Sequence, residues 1–388
     1  MGCSLWRQLT FRRTSYCPLI WLPGVERMRL RHTPLFALLL LALLSTGCGG
    51  GTAGDPRPAT KAGGGGGGLG ARLVGAGATF PEPLYLDWIA QYKDVQPAVS
   101  INYQGIGSGG GIQQFVAQSV QFAGSDAYLT EGEIQAATEA RGCPTVHVPT
   151  VFGAVAIPFN IPGIEKLTLD GPTLARIFLG EVTSLRDPAI VQLNPAAALP
   201  DQRITVVHRS DSSGTTSVFT TFLADVSPSW DQRVGKGKEV QWPVGIGGQG
   251  NDGVTAAVRQ TPGAIGYVEL SYVLENQLTA ADMVNADGNA VTATLESTAA
   301  AADGITIPED LRFDVLGVRG QGYPIVGATW ILAHTCKYSE NEGAALKDFL
   351  VWALQEGDAT AQASHYAPIP DALQERALEK VNLINSQQ

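Results

Sequence analysis

Four short stretches of this chain bring hydroxyls, glycines and one arginine to places where backbone N–H groups should stand unpaired. Thr79 and Phe80 precede Pro81, a residue suited to the first turn of a helix. Ser108 sits in GIGSGGG, and Ser213, Gly214 and Thr215 open another helical stretch. The first N–H groups of a helix have no partner within it, so with hydroxyl donors beside them they make an anion site that needs little net positive charge. Arg209 adds a planar fork of charged donors suited to a tetrahedral oxyanion, with Asp211 beside it as an ion-pair partner. Taken singly, each feature has a plainer reading. Serine or threonine at a helix start is a cap, a glycine run is a tight turn, Arg209 and Asp211 are a surface pair, and Asp126 ends a strand. Their convergence at successive strand ends favours an anion cage.

Asp126 sharpens the chemistry. A carboxylate facing an anion repels it unless the anion has a proton to donate. Phosphate near neutral pH carries one and sulfate does not, and a buried acceptor left facing like charge discriminates by roughly 10⁴. Other chemistries find less support: the chain has no CxxC, no HExxH and no GxSxG, so neither a metal site nor a serine hydrolase is expected. His208, adjacent to Arg209 on a strand, should point to the opposite face.

These loops need elements to hold them, and one unit repeats. A strand at 72–75 leads to a helix whose face is Leu84, Trp88 and Tyr92. Val99, Ile101 and Tyr103 alternate as a strand, and Ile112, Phe115 and Val116 follow as a helical face. A strand over 120–123 runs into Gly124, Ser125 and Asp126, after which Thr130 and Glu133 form a capping box for a helix near 131–140. Ile204, Val206 and Val207 form a strand that enters the Arg209 loop, and Val218, Phe219, Phe222 and Leu223 mark the next helix. The alternation predicts an α/β fold with largely parallel sheets, whose ligand sites lie beyond the carboxyl ends of the strands.

The charge is unevenly placed. Of 26 basic residues, six precede Cys48 along with only one of the 36 acids, so the net −10 of the chain hides a net −15 after that point. This disfavours nucleic acid as a partner. From Met28, a basic stretch and the ten-residue apolar run 35–44 are too short to span a bilayer and fit a signal peptide. The sequence STGC that follows resembles a lipobox, predicting lipidation at Cys48. Residues 1–47 are therefore a signal region, in which a start codon assigned too early would make Met28 the true initiator. The glycine-rich segment 48–70, with six consecutive glycines at 63–68, reads as a flexible tether to a membrane. Cys143 and Cys336 remain as an even pair in an exported protein, and sequence alone leaves their pairing open.

In order, VGAGATFPEPLY, NYQGIGSGGG, GSDAYL, RSDSSGT, GQGNDGVTAAV and PGAIGYVE resemble the substrate-binding protein of the bacterial phosphate ABC importer, from about Arg72 to the C-terminus. The resemblance implies a two-lobed periplasmic-binding-protein fold of type II, with two crossovers and a ligand cleft between the lobes. Lobe one would be 72–155 plus 326–388, and lobe two 156–325. It implies phosphate contacts at Thr79, Phe80, Ser108, Asp126, Arg209, Ser213, Gly214 and Thr215, with Asp211 orienting the arginine. It also implies a monomeric, non-enzymatic binder without cofactor, exported and anchored at the cell membrane, that serves a permease and an ATPase. Two positions depart from the family's habit, which often has serine at Gly109 and glycine at Ser212.

A rival reading uses the same loop. Gly105, Gly107 and Gly110 satisfy GxGxxG, and Asp126 follows 21 residues after Gly105, near the spacing of a dinucleotide fingerprint. An exported dinucleotide-dependent oxidoreductase is the alternative, although it leaves the loops at 79 and 209–215 without a purpose.

Overall fold

The structure, a computed structural model, describes residues 70–385; the signal region, Cys48 and nearly all of the tether lie outside the described residues. The repeating unit appears as expected. The strands Ala71–Gly77, Val99–Gly105 and Phe122–Ser125 are each followed by a helix, at Glu82–Val95, Ser108–Val116 and Glu131–Arg141. The last of these starts with the capping box of Thr130 and Glu133 and stops at Gly142 in the left-handed region.

The three strands are parallel to one another, in the order Phe122–Ser125, Ala71–Gly77, Val99–Gly105. The rest of this seven-stranded sheet is antiparallel, which corrects the expectation of largely parallel sheets. Val326–His334 pairs antiparallel to Phe122–Ser125 on one side and to Thr145–Ala156 on the other. Both are fully or almost fully buried and carry the chain toward and back from a second body, so they enter this sheet without a helical crossover. Periodicity cannot reveal this, since a strand buried on both faces has no alternation.

Thr145–Ala156 continues almost directly into Pro158–Asn160 of a five-stranded sheet. There Thr205–Arg209 lies parallel to Ile246–Gly248 and to Ala264–Ile265. A small three-stranded sheet is formed by Thr168–Asp170, Asp282–Val284 and Ala290–Val291. Two pieces of the stretch 156–325 touch the first body rather than the second. Val268–Glu269 pairs with Ala156 and Val155 of the large sheet. The backbone of Ile307 and Leu311 accepts hydrogen bonds from Arg376 and from Trp330, at 2.9 and 2.8 Å.

Cys143 and Cys336 form a disulfide, with Cα atoms 6.0 Å apart across 193 residues of sequence. It lies just past the His334 to Thr145 end of the antiparallel ladder, where the two passing strands are already side by side.

Candidate anion-binding site

The carboxyl ends of the parallel strands of both sheets meet at one place. From the large sheet come the loops after Gly77, Gly105 and Ser125, carrying Thr79, Ser108 and Asp126. From the five-stranded sheet come the loop after Arg209 and the turn at Gln249 and Gly250. The two sets are hydrogen-bonded to each other. Gly214 N donates to Ser108 Oγ at 3.0 Å, Gly109 N to Ser212 O at 3.0 Å, and Asn251 Nδ2 to Thr79 Oγ1 at 3.0 Å. At the rim, Lys238 pairs with Glu133 over 2.9 Å. The structure thus brings Thr79, Ser108, Asp126, Arg209, Asp211, Ser213, Gly214 and Thr215 together, and Phe80, next in sequence to Thr79, is buried.

Arg209 is 3 % exposed, and its charge is met on one side only. Nε and Nη2 form a fork onto the Asp211 carboxylate at 2.8 and 2.5 Å, while Nη1 reaches Thr215 Oγ1 at 3.3 Å. Asp211 also accepts from Gly250 N at 3.0 Å. Burial alone would raise the Asp211 pKa, but the Arg209 hydrogen bonds and charge outweigh it and hold the carboxyl below its usual value. Tyr267 Oη accepts from Arg209 N and fixes the backbone at the strand end.

The hydroxyls share a pattern. Thr79 Oγ1 accepts from the backbone and side-chain N–H of Asn251, Thr215 Oγ1 from Arg209 and Asn251, and Ser213 Oγ from Thr216 N as the cap of helix Gly214–Val226. An oxygen used as an acceptor keeps its own hydrogen to donate. The plain reading of Ser213 as a cap therefore holds, and leaves its hydroxyl hydrogen for a ligand.

Asp126 is buried among these donors. Thr329 Oγ1 donates to Asp126 Oδ1 at 2.9 Å, and Asp126 N to Ser108 Oγ at 3.3 Å. Burial pushes the Asp126 carboxyl up to about 7, against the lowering pull of Thr329, the Arg209 charge, Ser108 and the Thr215 N–H.

Three contributors escaped the sequence reading. Thr329 lies in a strand buried along its whole length, Asn251 falls within the quoted GQGNDG, and Tyr272 Oη donates to Thr79 O at 2.5 Å. Only a polar residue inside an apolar run, Thr329 in GATWIL, hinted at any of them.

Three N–H groups of the Gly105–Gly110 loop are taken by the protein itself. Gly105 N donates to Glu82 Oε1 at 2.9 Å, Ile106 N to Gly77 O at 2.9 Å, and Gly109 N to Ser212 O. Gly107 takes φ +81° to start the helix, which favours glycine. Asp126 faces Thr329 and Ser108 rather than a ribose crevice. The dinucleotide alternative is not supported. His208 stacks on Trp242 with ring centroids 4.8 Å apart, and its Nδ1 lies 2.9 Å from the Arg209 carbonyl oxygen. Among the described residues no group of three or more His, Cys, Asp and Glu is placed to hold a metal, and no helix is long and apolar enough to cross a membrane.

Comparison with known proteins decides the family. Residues 52–356 match the model of the PBP superfamily domain. The chain is 40% identical over 307 residues to the phosphate-binding protein PstS of Xylella fastidiosa, covering 78% of this chain and 82% of that one. The chain belongs to the PstS family of phosphate-binding proteins. Another PstS relative, from Methanocaldococcus jannaschii, is 37% identical over 331 residues, covering 79% of this chain and 85% of the relative. Among solved structures, a phosphate-binding protein from Stenotrophomonas maltophilia superposes with a TM-score of 0.62 at 23% identity, over 80% of this chain and 93% of that one. At that identity the likeness speaks to the fold alone: the two-lobed PstS fold with its cleft between the lobes, as the sequence resemblance implied.

Proposed function

We propose that this chain captures inorganic phosphate outside the cytoplasm and delivers it to an ABC-type permease powered by an ATPase. The observation that carries the reading is the facing of Arg209 and Asp126 within one buried cluster of hydroxyl and N–H donors. The Nη1 edge of Arg209, the Thr79, Ser213 and Thr215 hydroxyls and the N–H groups of Phe80, Gly214 and Thr215 supply donors to phosphate oxygens. Ser108 Oγ and Gly214 N, now hydrogen-bonded to each other, turn to the ion when it enters. Asp126 accepts the proton of the phosphate anion, and so refuses sulfate. Asp211 does not touch the ion and holds the arginine in place.

The relatives' name as phosphate-binding proteins supports the ligand. Capture requires no bond to be made or broken, so the proposal is a binder and not an enzyme. The lobes are 72–155 with 326–388, and 156–325, the latter lending Val268–Glu269 to the first sheet. They close on phosphate by a hinge. Lipidation of Cys48 and the tether 48–70 hold this body at the membrane as a monomer.

Titration calorimetry of the purified protein with phosphate, sulfate and arsenate tests the reading. One-to-one saturable binding of phosphate, with sulfate weaker by roughly 10⁴, is expected. Absence of phosphate binding removes the function, and sulfate binding as tightly as phosphate removes the role of Asp126.

A further inference from the structure

Gly109 and Ser212 meet where the loops of the two sheets touch. Gly109 is the second residue of helix Ser108–Val116, behind a strand of the large sheet, and Ser212 lies in the turn after Thr205–Arg209 of the five-stranded sheet. Their backbones are joined, Gly109 N donating to Ser212 O at 3.0 Å. A Cβ at Gly109 would lie 2.1 Å from Ser212 Oγ and 2.3 Å from Ser212 Cβ. Carbon atoms in contact prefer about 3.5–4.0 Å, so the Ser212 side chain fills the volume that any side chain at 109 would need.

The glycine at 109 is not there for its backbone. Its φ is negative and helical, unlike that of Gly107, so an L-residue fits the local conformation. The three atoms nearest to an added Cβ all belong to the opposing turn. Both residues sit directly beside site residues: Ser108 precedes Gly109, and Asp211 and Ser213 flank Ser212. The bond from Gly214 N to Ser108 Oγ lies next to this contact, so its length depends on how closely the two turns approach.

We propose that Ser212 and Gly109 form a knob and notch that sets the closing distance of the cleft, making Ser212 a positioning residue for phosphate capture. This rests on the phosphate-binding reading above. Hydrogen bonds weaken steeply with distance, so a side chain on both partners holds the donors of the two turns too far apart to share one ion. A side chain on either partner alone is accommodated. With glycine at 212, the nearest atom left to a Cβ at 109 is the Ser212 carbonyl oxygen, at 3.3 Å.

A double-mutant cycle tests this: wild type, G109S, S212G and G109S/S212G, each measured for phosphate Kd by calorimetry and for melting temperature without phosphate. G109S should weaken phosphate binding about thirtyfold, as overpacking does, and S212G by no more than about fivefold. The double variant should return to within about fivefold of wild type, with all four ligand-free melting temperatures within about 2 °C. The proposal is overturned if G109S binds like wild type, if the double variant is no better than G109S, or if ligand-free melting falls in step with affinity, which would place the contact in the resting fold. A wild type that binds no phosphate overturns instead the functional reading beneath it.

Discussion

The Thr329 hydroxyl donates to Asp126 Oδ1 at 2.9 Å, joining residues 203 apart in sequence. It is the contact through which a strand of the large sheet, otherwise all core, reaches the site. Removing it with Thr329→Val takes a charge-assisted hydrogen bond, about 2 kcal/mol, from the ionised carboxylate. Asp126, already pushed up to about 7, then holds its proton more tightly and is less able to accept one. Phosphate affinity should fall about tenfold at pH 7, and the deficit relative to wild type should narrow between pH 7 and 8.5. An equal deficit at both pH values would mean that Thr329 acts through packing instead.

Asp126→Asn removes the proton acceptor and keeps the shape. The expected result is weaker phosphate binding together with a collapse of the phosphate-over-sulfate ratio by at least about a hundredfold. Competition calorimetry with the two ions reads both quantities, and a ratio unchanged in the variant counts against the proton-acceptor argument.

Arg209→Lys keeps the charge and loses the fork. Lysine cannot bridge Asp211 and the ion at once, so phosphate Kd should rise about thirtyfold, the equivalent of about 2 kcal/mol. A variant that binds within threefold of wild type would show that positive charge alone suffices.

The ligand-free protein should lose stability as pH rises above 7. Burial raises Asp126 to about 7 and Glu269 to about 8, far above their unfolded values near 4. Between those limits the folded chain holds protons that the unfolded chain has released, so the contribution of these two groups falls with increasing pH, while buried His147 and His334, pushed down to about 4, act oppositely below about pH 6.5. Glu269 Oε1 lacks a hydrogen-bond partner, which adds to the cost of ionising it. Thermal unfolding at pH 7 and pH 8.5, above the range where the histidines contribute, should show a drop of a few degrees in wild type and a smaller one in Glu269→Gln. An identical drop in the variant would remove Glu269 from the account.

Reduction of the Cys143–Cys336 bond should destabilise the fold by about 2–5 kcal/mol, since it closes a long loop. Phosphate affinity should change less than about threefold, because the bond lies at the far end of the ladder from the site. Melting curves and calorimetry with and without reductant measure both.

The local signals were plain in the sequence. Val99, Ile101 and Tyr103 alternate because one face of that strand is buried, and Thr130 with Glu133 announced a helix start found where expected. The loops at 79, 108, 126 and 209–215 also converge as their positions at strand ends required. What stayed hidden was set by pairing between distant segments. Thr329 stands beside Asp126 only because Trp330 lies in register with Ser125, and Asn251 reaches Thr79 from the other sheet. The antiparallel strands that link the bodies are buried almost throughout, so nothing in their composition told direction.

The disulfide has a consequence for damage. Its two cysteines enclose the whole of the five-stranded sheet together with both passages of the chain between the bodies. A protease cutting once anywhere in residues 144–335 would therefore release nothing: the two fragments would stay covalently joined and migrate as one species until a reductant was added. For a phosphate-binding protein, a nicked molecule would still be a complete one.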